Sequence, residues 1–475
     1  MNLQELLYSS YGYTSFRPGQ EEIIEQVLKG RDVIALLPTG MGKSMCYQLP
    51  ARLLKGSVLI VSPLLSLMQD QVAQLKKMGE KSVVAINSFA TPQEKAEIWR
   101  SLHNFRFIFV SPEMLMQPFV KKQLQNLDIS LVVADEAHCI SQWGFDFRPD
   151  YLRIAEILPL LGNPQILALT ATATAKVTEE IKSYLEIDEP FLYVHPMDRE
   201  NIVYDRKKFE DPRDKIRWLL DFVGKYQGPG IIYAGTRKKS EELSSLLREQ
   251  GISSSHYHGG MEHQDRIFVQ QQFQNGELEW VCSTNAFGMG VHISNIRHVI
   301  HFHLPTSVEG YVQEVGRAGR DGEPALATLL HSPGDEGLMA SMVLDDLPTR
   351  HEIEEVYRQG DAQDQLVSNG IVRETAYRVL SYWRTRLPME GTIAQINMLQ
   401  QQKMIQIEKM NRLVTTEGCI RKFIIECFDQ ELFDLPENCC LNHGIIYQEF
   451  HLRTQSASST LKQSWQERLN ALMPR

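Results

Sequence analysis

Along the first two thirds of the chain, short apolar runs rich in β-branched residues alternate with longer amphipathic stretches, and a turn signal closes each run. "DVIALL", "SVLIVS", "SVVAIN", "RFIFVS", "SLVVAD" and "QILALT" form one series that ends near Thr174. "GIIYAG", "WVCSTN", "RHVIHFH" and "ALATLLH" form a second. Strand runs alternating with helical patterns imply parallel sheets covered by helices on both faces. The pattern therefore predicts an α/β chain with two tandem parallel-sheet domains, residues 1–197 and 198–335. The seam is expected at "HPMDRENIVYDRKK", residues 195–208, where polar residues and a proline interrupt the pattern. From about Pro333 the strand runs stop. "HEIEEVYRQ", "ETAYRVLSYWRTRL" and "EGCIRKFIIECF" carry helical patterns, which predicts a smaller α-rich region over 336–452. The polar, Ser-rich "RTQSASSTLK" at 453–462 reads as a linker before a final helix that ends the chain at 475.

Bulk properties narrow this picture without changing it. A chain of 475 residues, 43% hydrophobic, accommodates two or three domains, each with its own core. No apolar run approaches the roughly 20 residues of a membrane span. The start, "MNLQELLYSSYGY", lacks a basic region followed by an apolar stretch. The expectation is a cytoplasmic protein, nucleoid-associated if the source is bacterial. A formal net charge of −10 argues against a wholly electrostatic nucleic-acid binder but leaves room for a local basic groove. Cys46, Cys139 and Cys282 are scattered singly, the usual pattern of reduced thiols, whereas Cys419, Cys427, Cys439 and Cys440 fall close together.

Three stretches carry chemistry. "VIALLPTGMGKSMCYQLPA" sets a strand before "PTGMGKS" and a helix after it, the context of a phosphate-binding loop. Thr39, Gly40 and Gly42 belong to the loop, where glycines let backbone N–H groups converge on phosphate oxygens. Lys43 would reach the β- and γ-phosphates and Ser44 would ligate Mg²⁺. The strict pattern has a glycine where this chain has Leu37. In "SLVVADEAH", an apolar strand ends in acids: Asp135 would hold the Mg²⁺, and Glu136 would orient and deprotonate the attacking water. His138 reads equally as a link between domains or as a hydrogen-bonded turn residue. In "YVQEVGRAGRDG", Arg317 and Arg320 lie three apart among small residues and would reach a γ-phosphate across a cleft, as arginine fingers do. After the acids, "CISQWGFDFRPDY" places Trp143, Phe145, Phe147, Arg148 and Tyr151 among glycine and charges, unlike a core strand.

With these motifs in order, the chain resembles a RecQ-family DNA helicase of superfamily 2, closely over about residues 8–335 and more weakly to 445. "VSPLLSLMQDQV", "LTATAT", "YHGGM", "STNAFGMGV" and "QEVGRAGRDG" match the family's helicase motifs. The resemblance implies two RecA-like domains followed by a small helical zinc-binding region. It implies ATP and Mg²⁺ as cofactors, single-stranded and partially duplex DNA as partners, 3′ to 5′ polarity, and work in DNA repair or recombination. "GYTSFRPGQEEII" resembles the family's adenine-reading motif, so Tyr13 would stack on the base while Arg17 and Gln20 contact it. The aromatic-rich segment resembles the loop that marks the family, so Trp143, Phe145, Phe147 and Arg148 would bind single-stranded DNA and make base stacking felt at Glu136. Such a loop separates the family from RNA helicases with the same acidic box.

The C-terminal cysteines resemble the family's zinc module. Cys419, Cys440 and His443 would be ligands of Zn²⁺, with Cys439 as the fourth or Cys427 in its place. Two departures matter. About thirty residues follow His443, too few for the winged helix and further helical DNA-binding domain of longer members, which implies a short form. His292 stands where the family commonly has an acid or amide. The rivals are an RNA helicase and an ATP-gated DNA clamp that hydrolyses without unwinding.

Overall fold

Six apolar runs of the first series, with one further strand, build a single sheet. In the computed structural model, which describes residues 2–63, 65–86, 92–141, 149–287, 293–345, 347–359, 363–450 and 452–453, these strands are all parallel. They are β1 (Val33–Leu36), β2 (Ser57–Val61), β3 (Val83–Ile86), β4 (Phe107–Val110), β5 (Ile129–Asp135), β6 (Gln165–Thr170) and β7 (Phe191–Val194), in the order β3-β4-β2-β5-β6-β1-β7. Successive side chains point to opposite faces. Accordingly Ile34, Leu36, Leu59, Val61 and Val132 enter one core layer, while Val33, Ala35, Val58, Ile60 and Val133 enter the other. Burial on both faces is why these strands read as continuous apolar runs.

The second sheet comprises β8 (Ile202–Lys208), β9 (Gly230–Tyr233), β10 (Ser254–Tyr257), β11 (Trp280–Ser283), β12 (His298–His301) and β13 (Ala325–His331). Its order is β10-β11-β9-β12-β13-β8, again all parallel. The seam expected across 195–208 needs correction, because its second half is strand β8, paired with β13 from Ala325↔Ile202 to His331↔Lys208. Polar residues misled the reading because β8 is an edge strand. Its buried Asp205 is held at Oδ2 by the Tyr447 hydroxyl at 2.9 Å and by Lys207 Nζ at 3.2 Å. The chain thus passes between sheets over the few residues after Val194.

Beyond β13 the structure is helical. The three helical patterns appear as Arg350–Gln359, Glu374–Arg384 and Ile420–Glu426, accompanied by Asp335–Asp345, Gln363–Ser368 and a 27-residue helix, Met389–Thr415. At 1.5 Å per residue that helix is about 40 Å long, and its two ends serve different cores. Ile407, Met410, Leu413 and Val414 pack into the second domain. Ile396 and Leu399 instead close a separate small core with Ile353, Val356, Leu366, Val372 and Leu380. The result is an arm, residues 347–399, carried by the second domain. It rests on the first domain through Arg386 Nη2 and Glu156 Oε1, 2.9 Å apart.

After the cysteines the chain returns to the second sheet, bridging Tyr204 to Cys440 and Tyr226 to Leu452 and burying Phe450. Except for Arg453, the linker and final helix expected over 453–475 lie outside the described residues. Among those described, no helix is long and apolar enough to cross a membrane.

Candidate nucleotide and nucleic-acid site

At the C-terminal end of β1 the chain turns through residues 37–44 into the helix Met45–Gln48. Gly40 and Gly42 take φ of 91° and 73°, where a side chain is disfavoured, and each has a side chain packed close against it. A Cβ on Gly40 would stand 3.2 Å from Arg320 Cγ, and one on Gly42 2.7 Å from Gln20 Nε2. Gln20 Nε2 donates to the carbonyls of Met41 and Gly42, each at 3.0 Å, and Arg17 Nη1 donates to the Gly40 carbonyl. Arg17 and Gln20, expected at the base, therefore also clasp the phosphate loop itself. Tyr13, 52% exposed, stands on the same side of the cleft.

β5 ends at Asp135 and delivers both acids into this space. Glu136 has φ 51° and ψ 48°, left-handed for a residue with a side chain, at a cost on the order of 1 kcal/mol. Lys43 Nζ lies 3.0 Å from Glu136 Oε1. Burial, then the neighbouring Glu136 charge, pushes Asp135 up to about 7. Burial would raise Glu136 too, but Lys43 and then His138 outweigh it and hold that carboxyl below its ordinary range. Glu136 thus carries the charge, and Asp135 is a buried carboxyl that a neighbouring cation would ionise. His138 Nδ1 lies 3.0 Å from Thr170 Oγ1 and 3.4 Å from Glu136 Oε2, both in the first domain.

The second domain closes the cleft. The helix Val308–Val315 ends at Gly316, where a Cβ would stand 2.3 Å from Thr39 Oγ1. That hydroxyl donates to the Gly316 carbonyl at 3.0 Å. This close approach brings in Arg317 and Arg320. Burial, then Arg317 and Arg199, pushes the Arg320 guanidinium down to about 9. Every nucleotide-site residue named from the sequence, Thr39 and Ser44 included, borders one cleft of about 390 Å³ between the domains. Two contributors escaped sequence reasoning. Gln313 lines the cleft one helical turn before Arg317, a spacing that could have revealed it. Arg199 donates to the carbonyls of Thr39 (3.4 Å) and Gly319 (2.6 Å) from the polar seam, where no pattern marks it.

Trp143, Phe145, Phe147 and Arg148 lie outside the described residues, as does His292. Tyr151, which closes the aromatic stretch, is a core residue and corrects that part of the reading. It is fully buried, with its hydroxyl donating to the Asp135 carbonyl at 2.6 Å. The aromatic-rich segment is therefore anchored at its far end to the acid strand.

The cysteine cluster gathers Cys419, Cys439, Cys440 and His443, with ligand atoms all within 4.8 Å of one another. Cys419 Sγ is 3.6 Å from Cys439 Sγ and 3.9 Å from Cys440 Sγ, and Cys440 Sγ is 3.3 Å from His443 Nδ1. A tetrahedral zinc with bonds of about 2.3 Å to sulfur has edges of roughly 3.8 Å, so the donor set fits the metal. Cys427 is not part of the cluster. Buried Arg421 ties this module to the seam through Asp198 and the Arg199 and Ile202 carbonyls.

Two RecA-like domains that meet around a phosphate loop, an acidic pair and two arginines define a nucleotide-driven helicase motor. Comparison with known proteins agrees. The pattern of the DEAD/DEAH box helicase family matches residues 17–181, and that of the helicase conserved C-terminal domain matches 214–322. The probable ATP-dependent DNA helicase RecS of Bacillus subtilis is 40% identical over 484 residues, covering 99% of this chain and 97% of its own. The ATP-dependent DNA helicase RecQ of Pasteurella multocida is 41% identical over 72% of this chain, which spans 54% of that relative's length. Among solved structures, the Mycobacterium smegmatis helicase Lhr bound to single-stranded DNA and AMP-PNP superposes with a TM-score of 0.59 over 87% of this chain and 57% of its own. At 19% identity it speaks to the fold alone. The chain belongs to the RecQ family of ATP-dependent DNA helicases.

Proposed function

We propose that the protein hydrolyses ATP in the interdomain cleft to move along single-stranded DNA from 3′ to 5′ and unwind duplexes, in repair or recombination, within the cytoplasm. What carries this reading is the convergence of cations from both domains on one acidic pair. Lys43 and Arg17 come from the first domain, Arg317 and Arg320 from the second. Cations gathered around one cleft are stabilised by a polyanion, so the triphosphate draws the domains together and its hydrolysis lets them part.

The residues divide the work. Tyr13 stacks on the base, and Arg17 and Gln20 hold the phosphate loop against it. The N–H groups of residues 39–44 and Lys43 bind the phosphates, which compete with Glu136 for the lysine and free that carboxylate to accept a proton from water. Ser44 and Asp135 would hold Mg²⁺, which supplies charge neutralisation on the phosphates; the raised Asp135 suits such a ligand. Arg317 and Arg320 stabilise charge on the transferring phosphoryl group. Cys419, Cys439, Cys440 and His443 would hold a structural Zn²⁺ that pins the C-terminal region to the second sheet.

Trp143, Phe145, Phe147 and Arg148 bind DNA in this reading, and the Tyr151 bond to Asp135 supports a short path from them to Glu136. The test is ATPase activity with and without single strands. Activity is expected to be low alone, to rise strongly with DNA and to rise less with RNA. Trp143→Ala should lose stimulation far more than DNA affinity, since stacking on one side chain is worth about 1–3 kcal/mol. A variant that melts earlier yet keeps full stimulation would end the coupling.

A further inference from the structure

A second cleft, of about 570 Å³, opens between the arm and the first domain. One wall is the helix Glu374–Arg384 with the residues just after it, and the other is the turn Pro149–Arg153. Gln363–Ser368 and Glu374–Arg384 are joined by a five-residue turn that contains Gly370 at φ 67°. Leu366, Val372, Ala376 and Leu380 are buried between them. This is a helix-turn-helix arrangement, and packing one face of the second helix into the arm's core leaves its polar face to line the cleft.

That face is basic in an acidic protein. The helix and the residues just after it line the cleft with Arg378 and Arg386 beside Tyr377, Ser381, Tyr382 and Thr385, while the whole chain is at −10. Arg378 is exposed and pairs with Glu374 in its own helix. Arg386 lays its guanidinium over the Tyr382 ring, 3.9 Å from the centroid, which makes a flat cationic platform. Arg153 comes from the opposite wall. The facing acids are Asp150 and Glu156, and Glu156 is shared by Arg153 (3.2 Å) and Arg386 (2.9 Å) at a site 40% exposed. Such solvated pairs are worth little and yield readily to a phosphate.

We propose that this cleft is a second binding site for a single DNA strand, with backbone phosphates on Arg378 and Arg153 and a base stacked against the Arg386–Tyr382 platform. The proposal rests on the DNA-helicase reading and adds a contact outside the two motor domains. Space decides the form of the ligand: the cleft admits a nucleotide or two of one strand, whereas a duplex needs far more room. The turn Pro149–Arg153 follows directly in sequence on the segment that resembles the family's DNA loop, so a strand held at one is within reach of the other.

The experiment titrates the full-length protein against fluorescein-labelled oligo-dT by anisotropy at several salt concentrations. Arg378→Ala should weaken binding several-fold and flatten the slope of log K against log salt by about 0.7, the share of one single-strand phosphate. Glu374→Gln releases the same arginine and should tighten binding, an opposite sign that a damaged fold would not produce. Tyr382→Ala should weaken binding without changing the slope. Wild-type affinity and slope in Arg378→Ala and Glu374→Gln would overturn the proposal and leave the cleft to a protein partner or to docking of the arm. A wild-type protein whose ATPase ignores oligo-dT would instead sink the helicase reading itself, so the two failures are distinct.

Discussion

Arg320→Gln separates what the interdomain cleft costs the free protein from what it contributes to catalysis. Arg320 is a buried cation whose guanidinium is pushed from 12.5 to about 9, first by burial and then by Arg317 and Arg199. A group whose folded pKa lies below its unfolded value destabilises the fold while charged, and the cost is full at pH 7, below both values. Each unit is worth about 1.4 kcal/mol, so the charge opposes folding by a few kcal/mol at most. Lost packing against Gly40 and the weak bond from Nε to the Gly316 carbonyl (3.4 Å) offset part of that gain. A net stabilisation of about 1–2 kcal/mol is expected, seen as an upward shift of a few degrees in Tm without nucleotide. With DNA and saturating ATP, kcat should fall by about 10³-fold or more, the scale of a lost arginine finger, while KM changes little. Differential scanning fluorimetry beside steady-state ATPase rates reads both. A variant with lower Tm and near-wild-type kcat would refute the reasoning, and so would a rise in KM alone.

Other outcomes follow from the C-terminal region. Elemental analysis should find about one Zn²⁺ per chain, lost in Cys439→Ser and retained in Cys427→Ser, with reduced stability only in the first because metal binding is coupled to local folding; equal metal in both would contradict the cluster. Glu352 accepts from Arg373 Nε (2.9 Å) and the Thr349 N–H (2.8 Å), and against the effect of burial these bonds hold it down to about 2. A carboxyl depressed in the fold stabilises above its ordinary value of 4.5, and that contribution is lost as pH falls toward 2. Amide protection factors in residues 347–388, taken relative to intrinsic exchange at each pH, should therefore fall between pH 5 and 3 in wild type. Glu352→Gln should lose about 1–2 kcal/mol of local protection at neutral pH, solvent screening allowed for, and show a flatter response.

Legibility followed burial. β1, β2, β4 and β5 are covered on both faces and announce themselves as unbroken apolar runs. β7 lies at a sheet edge with alternating exposure, β8 hides a buried Asp205 among lysines, and β10 opens with serines that bond within the fold, so none of the three has that signature. The phosphate loop, acids and arginines were readable because phosphate chemistry needs those residue types at fixed local spacing. Arg199 was not, because its role depends on where the seam brings it after folding. The choice between Cys439 and Cys427 likewise turns on which sulfur reaches Cys419 in space, which linear spacing leaves open. The long helix Met389–Thr415 concealed its purpose by serving two cores, one at each end.

The central claim is that one cleft, assembled by both domains, turns ATP hydrolysis into movement along DNA. Strand displacement on forked, 3′-tailed and 5′-tailed duplexes tests it most directly, comparing wild type with Lys43→Ala and Glu136→Gln. The account predicts ATP-dependent unwinding of forked and 3′-tailed substrates by wild type and none by Lys43→Ala. Glu136→Gln should bind ATP and DNA yet turn over too slowly to unwind. ATP hydrolysis stimulated by DNA with no displaced strand from any substrate would contradict it, as would substantial unwinding by either variant.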